Sequence, residues 1–136
     1  MVCLYCGSPT KVTNSRTRAD NLLVWRRRSC QKCKAVFTTL EQIDRQSAVA
    51  VKKRNGHIEP FLRDKLLISI YDSLKHRKTA LTDATALTDT IIRGVLTKMT
   101  DGSLKIDDLV STTHLVLLRF DKPAAVYYAS FHRANS

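Results

Sequence analysis

Cys3-Leu4-Tyr5-Cys6-Gly7 and Cys30-Gln31-Lys32-Cys33 decide how the first part of this chain folds. They hold all four of its cysteines. A C-x2-C pair puts two thiolates on one tight turn, and two such turns supply the four soft ligands of a tetrahedral site. Gly7 follows the first pair, where a residue able to take positive φ lets the backbone curl around a metal. Zinc suits a closed four-thiolate site, although iron in a rubredoxin-like arrangement is held by the same sulfurs. Met-Val-Cys-Leu-Tyr-Cys at the start shows no basic segment ahead of an apolar run, so no secretory signal is expected. The compartment then reads as a reducing cytoplasm, where paired cysteines serve metals rather than disulfides. His57, His76, His114 and His132 are not assigned to metal, because the cysteines complete one site by themselves.

Working outward, Lys11–Ser15 and Leu22–Arg26 read as strands joined by the polar turn Arg18-Ala19-Asp20-Asn21, and Val36–Leu40 as a third. Three short strands and two knuckles make a zinc ribbon. Such a unit is too small to hold itself with a core, so metal should supply much of its folding free energy. Without metal, residues 1–40 are expected to be largely disordered.

Arg26-Arg27-Arg28 runs into the second knuckle. Strand alternation places Arg26 and Arg28 on one face, and Arg27 with Trp25 on the other. The formal net charge is +11, and it is uneven: residues 1–47 carry nine Lys/Arg against three Asp/Glu, residues 48–136 fourteen against nine. Charge density is thus about twice as high on the ribbon, which suits a polyanion. Arg16 and Arg18 can extend the patch. A solvated surface is the plain alternative; phosphate contact is the safer functional assignment, and guanidinium also matches the O6/N7 edge of guanine.

After the polar stretch Glu41–Ser47 the pattern changes. Ala48–Lys53, Arg54-Asn55-Gly56 and His57-Ile58-Glu59 read as a β-hairpin, with Asn-Gly at its turn and Pro60 closing it. Leu66, Leu67, Ile70, Tyr71 and Leu74 give a helical stripe over about residues 63–76. A second helix begins near Thr82 and buries Leu87, Ile91, Ile92, Val95, Leu96 and Met99; Asp101-Gly102 stops it. Ile106, Leu109, Val110, Thr113, Leu117 and Phe120 define a third. Asp121-Lys122-Pro123 opens a short fourth, with Val126, Tyr127 and Phe131 expected in the core. The chain therefore reads as α+β: a small four-cysteine zinc ribbon of short antiparallel strands over residues 1–46, then a hairpin plus four helices over 47–136. Its apolar content is 43%, and no apolar run approaches the ~20 residues of a membrane span.

Lys53 and Arg54 on the hairpin, with Lys65 near the start of the next helix, form an arrangement able to hold a polyphosphate, and Glu59 can accept hydrogen bonds from a base or sugar. Two basic residues at a turn are equally ordinary surface. No G-x-x-x-x-G-K-[ST] loop, acidic metal cluster or nucleophile–base pair is found, so an enzyme is not expected.

The order of these motifs carries more than any one of them. Cys-x-x-Cys-Gly, Ser15-Arg16, Arg26-Arg27-Arg28, Cys30-x-x-Cys33, Phe37-Thr38-Thr39 and Glu41 are followed by Val51-x-Lys53-Arg54-Asn55-Gly56, Glu59-Pro60-Phe61-x-x-x-Lys65-Leu66 and Ala129-Ser130-x-x-Arg133. Over essentially its whole length the chain resembles the bacterial ribonucleotide reductase transcriptional regulator family, which joins a zinc ribbon to an ATP-cone. The resemblance implies a cytoplasmic repressor, with one structural zinc ion on Cys3, Cys6, Cys30 and Cys33. It implies double-stranded operator DNA contacted by Arg16, Arg26, Arg27 and Arg28, and ATP or dATP contacted by Val51, Lys53, Arg54, Glu59 and Lys65. It further implies a homo-oligomer whose size and DNA affinity the bound nucleotide resets. The chain departs from the family pattern at Trp25, Ser29, Lys78, Ile106 and Leu62, the last at the helix entry beside the nucleotide. Two alternatives from other classes are a regulatory subunit docking on ribonucleotide reductase itself and a rubredoxin-like electron carrier.

Overall fold

Strand-forming residues dominate positions 10–42, and the computed structural model of the chain, which describes residues 1–18 and 23–132, lays them in an antiparallel sheet. The expected turn residues Ala19-Asp20-Asn21, together with Leu22 and Arg133, lie outside the described residues. The chain is α+β and divides into two units, Met1–Asp44 and Arg45–Ser136.

In the first unit β1 (Thr10–Thr17), β2 (Leu23–Cys30) and β3 (Val36–Gln42) pair in the order β1-β2-β3. β2 continues past Arg26 to Cys30 and carries all three arginines to the third cysteine, as the strand alternation of Arg26-Arg27-Arg28 requires. A register shift between Val12 and Asn14 marks a bulge in β1, which adds one residue and tightens the local twist. Both knuckles close alike: Cys3 N–H donates to Ser8 O at 2.7 Å and Cys30 N–H to Ala35 O at 2.9 Å. Gly7 (φ 72°) and Lys34 (φ 62°) take the left-handed conformation directly after each pair. Glycine adopts it freely; the lysine is held there at a cost in backbone energy.

In the second unit a four-residue helix α1 (Arg45–Ala48) precedes β4 (Ala50–Lys52) and β5 (Ile58–Pro60), the expected hairpin. Its turn is wider than a two-residue Asn-Gly reversal. Lys53 N–H donates to His57 O at 2.8 Å, and only Gly56 of the pair takes positive φ (84°). Asn55 instead accepts the His57 N–H on its side-chain oxygen at 2.9 Å. A further strand, β6 (Ser103–Lys105), runs parallel to β4 on its other edge.

The helices are α2 (Arg63–Ser73), α3 (Ala80–Leu96), α4 (Ile106–Phe120) and α5 (Lys122–Phe131). Thr82 does not cap α3, which begins at Ala80. Asp121 does cap α5, accepting Ala124 N–H at 3.0 Å, with proline in the first turn. α2 packs on α3 and α5, and α4 on α3 and α5. Ile70, Leu74, Ile91, Val95 and Leu117 from the helices and Leu104 from β6 are fully buried in one core. Buried hydroxyls are satisfied within their own helices: Thr88 donates to Ala84 O and Thr113 to Leu109 O, each at 2.7 Å, avoiding the cost of an unpaired polar atom. The phase of α5 differs from expectation. Ala124, Ala125 and Tyr128 face the core, whereas Val126 (70% exposed), Tyr127 and Phe131 (69%) face outward. Alanine at the contact lets α5 approach its neighbours closely, and that approach sets the rotation of the helix.

Candidate functional site

Cys3, Cys6, Cys30 and Cys33 converge at one end of the ribbon sheet, with all four sulfurs within 4.8 Å of one another. The Cys3–Cys33 sulfurs are 3.7 Å apart and the Cys6–Cys30 sulfurs 3.5 Å. These contacts are far beyond the ~2.05 Å of a disulfide and suit thiolates sharing a tetrahedral ion. Backbone amides already point at the sulfurs: Tyr5 N–H approaches Cys3 Sγ at 3.4 Å and Cys33 N–H approaches Cys30 Sγ at 3.5 Å. Hydrogen bonds from the Ser8 side chain and backbone hold the Cys6 thiol down at about 6, whereas Cys33, despite the Ala35 amide, is pushed up to about 11 by burial and the neighbouring sulfurs. Cys3 and Cys30 are buried, Cys6 and Cys33 exposed. The donor set fits zinc: four soft thiolate ligands with no oxygen among them.

Behind this centre the arginines divide. Arg26 donates to Glu41 Oε2 from Nε (3.2 Å) and Nη2 (3.0 Å), and to Ser15 Oγ from Nη1 (3.0 Å). Arg28 donates from Nε to Thr39 Oγ1 at 3.2 Å and from Nη1 to Thr10 Oγ1 at 3.5 Å. Arg27 and Arg16 lie on the other face, Arg27 opposite Asn14 and Arg16 opposite Trp25.

The second unit holds a cavity of about 490 Å³ bounded by the β4–β5 hairpin, α2, the start of α4 and the end of α5. Val51, Lys53, Arg54, Glu59 and Lys65, singled out in the sequence, all line it. Val51 is buried on the floor. Glu59 Oε1 accepts from Lys65 Nζ at 2.9 Å and Lys53 Nζ at 3.2 Å. Those two ammonium groups, Lys65 foremost, hold the Glu59 carboxyl below its usual range. Arg54 pairs with Asp107 on the first turn of α4 at 2.7 Å. Leu62 and Ile106 line the cavity too, and Leu62 occupies the N-cap position of α2 without a side-chain cap.

Other lining residues were missed. Ser69 lies one helical turn beyond Lys65, a spacing readable from sequence. Tyr128, Phe131 and His132 arrive from α5, with the Tyr128 and His132 rings stacked at 4.2 Å and 10°. No local signal ties residues so distant in sequence to the hairpin. His132, not assigned to metal from the sequence, is part of this wall.

A three-stranded sheet clamped at one end by two cysteine knuckles, with four sulfurs converging there, has the architecture of a zinc ribbon. Residues 1–41 match the family model described as Transcriptional repressor NrdR-like, N-terminal domain. A protein named Transcriptional repressor NrdR from Halorubrum lacusprofundi is 39% identical, covering all of this chain and 83% of that relative. Its namesake from Tropheryma whipplei (strain Twist) is 34% identical over 98% of this chain and 88% of the relative. Transcriptional repressor NrdR 3 from Paramagnetospirillum magneticum is 36% identical over 98% and 86%. The chain belongs to the NrdR family. That is a family of transcriptional repressors, not of enzymes. Among the described residues no helix is long and apolar enough to cross a membrane.

Proposed function

We propose that this chain is a cytoplasmic, nucleotide-responsive repressor of ribonucleotide reductase genes. Its ribbon, residues 1–46, binds operator DNA through the sheet bearing Arg16, Arg26, Arg27 and Arg28, with one zinc ion on the four cysteines. Residues 47–136 act as an ATP-cone. ATP or dATP enters the cavity with its phosphates among Lys53, Arg54 and Lys65 and its base or sugar near Val51 and Glu59. A single small ribbon buries too little duplex for tight, specific binding, so affinity depends on how many ribbons a homo-oligomer presents together. The nucleotide sets that number.

The observation that carries this reading is the convergence of Val51, Lys53, Arg54, Glu59 and Lys65 on one cavity, in a chain whose other unit is a cysteine-clamped, arginine-rich sheet. Mass in solution and affinity for a ribonucleotide reductase promoter fragment, measured on one preparation against ATP and against dATP, test it. Both quantities should differ between the two nucleotides. Association with purified ribonucleotide reductase, without salt-sensitive promoter binding, would instead make the chain a docking subunit.

A further inference from the structure

We infer that duplex DNA lies against one face of the ribbon sheet, the face of Lys11, Asn14, Arg16, Trp25 and Arg27, and that Arg26 and Arg28 on the opposite face are positioning residues. This rests on the reading that the ribbon binds DNA, and it divides an arginine set that the sequence leaves undivided.

Register fixes membership of each face. Trp25, Arg27 and Ser29 alternate along β2 and stand opposite Arg16, Asn14 and Lys11 on β1. On β3 they stand opposite Leu40, Thr38 and Val36. The bulge between Val12 and Asn14 brings Lys11 onto the same side as Asn14 and Arg16. The strand positions of this face hold three cations and no carboxylate. None of Lys11, Arg16 or Arg27 has a side-chain hydrogen bond or ion pair among the described residues. All three are exposed, as are Thr38 and Leu40. Arg16 and Arg27 are diagonal neighbours across the β1–β2 pair, close enough for like charges to repel. A polyanion relieves that repulsion.

The other face is organised differently. Arg26 has its charge met by Glu41 and its remaining edge used by Ser15, while Arg28 is half-buried and held by two threonine hydroxyls. A phosphate reaching Arg26 must first displace a carboxylate held by two hydrogen bonds. These two arginines lace β1, β2 and β3 together in a unit whose described residues bury only Cys3 and Cys30. Their work is to keep the sheet flat enough to present its reverse side. Trp25, the single tryptophan of the chain, sits between Arg16 and Leu40 on the DNA side and offers an apolar ring beside the cations.

The test uses the zinc-loaded full chain and sheared genomic duplex DNA, with binding measured across a series of salt concentrations. The slope of log affinity against log salt counts phosphate contacts at about 0.9 per contact. Arg16→Gln and Arg27→Gln should each lower the slope by about that amount, with zinc content unchanged. Arg26→Gln and Arg28→Gln should leave the slope as in the parent. In the unmodified chain, saturating DNA should quench or shift Trp25 emission, a readout that survives even if an Arg28 variant fails to hold zinc. A slope lowered by Arg26→Gln or Arg28→Gln but not by Arg16→Gln or Arg27→Gln overturns the assignment while DNA binding stands. So does Trp25 emission indifferent to bound DNA. If the parent chain shows no salt-dependent binding, the DNA reading itself has failed and the face assignment falls with it.

Discussion

The two units of this chain solve the same problem by opposite means. Residues 45–136 bury Ile70, Leu74, Ile91, Leu104, Leu117 and their neighbours in one continuous apolar core. The described residues of the ribbon bury nothing but Cys3 and Cys30, while Val2, Leu4, Tyr5 and Leu40 are each at least 60% exposed. Among the described residues, cross-strand hydrogen bonds, the Arg26–Glu41 ion pair and the Tyr5–Phe37 edge contact at 6.5 Å hold the strands together without metal. A sheet of three strands with no buried face is not expected to stand alone in water. The contrast separates two sources of stability: side-chain packing in the second unit, and in the first a four-cysteine site whose thiolates would supply it through a bound zinc ion.

The largest effect should come from attacking the metal. Structural zinc supplies on the order of 10–16 kcal/mol to small finger domains, and its binding free energy is their folding free energy. Chelation, or Cys30→Ser, should unfold residues 1–44 and leave the helical circular dichroism of the second unit in place. Amide exchange resolved along the chain checks this. If protection is lost in both units together, or in neither, the contrast is broken.

The converse experiment is Leu117→Ala. Leu117 is fully buried among helices, and leucine truncation in such a core costs about 3–5 kcal/mol. The second unit's melting temperature should fall by well over 10 °C, given about 4–8 °C per kcal/mol in a domain of this size. Zinc stoichiometry should not change.

Much of this contrast was legible beforehand. The cysteine spacing announced a metal-held unit, and the stripes Leu66–Leu74 and Ile106–Phe120 announced packed helices, because both signals are local and repeat. What failed was non-local. Ser103-Leu104-Lys105 is too short to alternate, and it becomes a strand only because α3 returns the chain alongside β4. Val126, Tyr127 and Phe131 look like core by composition, but the rotation of α5 is set by two alanines that fit against neighbouring helices. The cavity was legible only in part for the same reason. Its cations are clustered in sequence on hairpin and helix, whereas Tyr128 and His132 reach it from the far end of the chain. Arginine faces could be read by alternation. Their bracing by Glu41, Ser15 and Thr39 needed the register.

Between the two extremes stands the cavity, whose polar lining makes no demand on the core. Lys53→Ala combined with Arg54→Ala removes two cations and leaves Glu59 with Lys65 alone. Each lost charge-assisted hydrogen bond costs about 1.5–3 kcal/mol of binding, or roughly 10- to 100-fold in affinity. ATP and dATP binding, measured calorimetrically, should fall by at least that for one contact. Zinc content and melting temperature should stay near the parent values, since both side chains are substantially exposed. Unchanged nucleotide affinity would remove the cavity from the proposed switch.

The smallest effect lies at the helix junction, and it is a matter of pH. Asp121, with a side chain only 8% exposed, caps α5 through Ala124 N–H while accepting from His76 and Arg77, each at 3.0 Å. Arg77 also reaches Asp83 and lies over the Phe120 ring at 4.7 Å. The Ala124 amide foremost, then His76, lowers the Asp121 carboxyl from 3.8 to about 2. A carboxylate depressed on folding stabilises the native state fully above its unfolded value, and that contribution disappears as pH falls through the folded one. The second unit should therefore lose stability between about pH 4 and pH 2 through this group. Asp121→Asn keeps a good cap acceptor and removes the charge, so its melting temperature should depend less on pH over that window. Some slope should persist, because Asp83 and Glu59 are also lowered. Asp121→Ala loses the cap as well, for a further ~1 kcal/mol at all pH values. The ribbon should respond to none of these changes at neutral pH, where its zinc-dependent amide protection should match the parent's in both variants. A coupled loss there would mean that the two units do not draw their stability from separate sources.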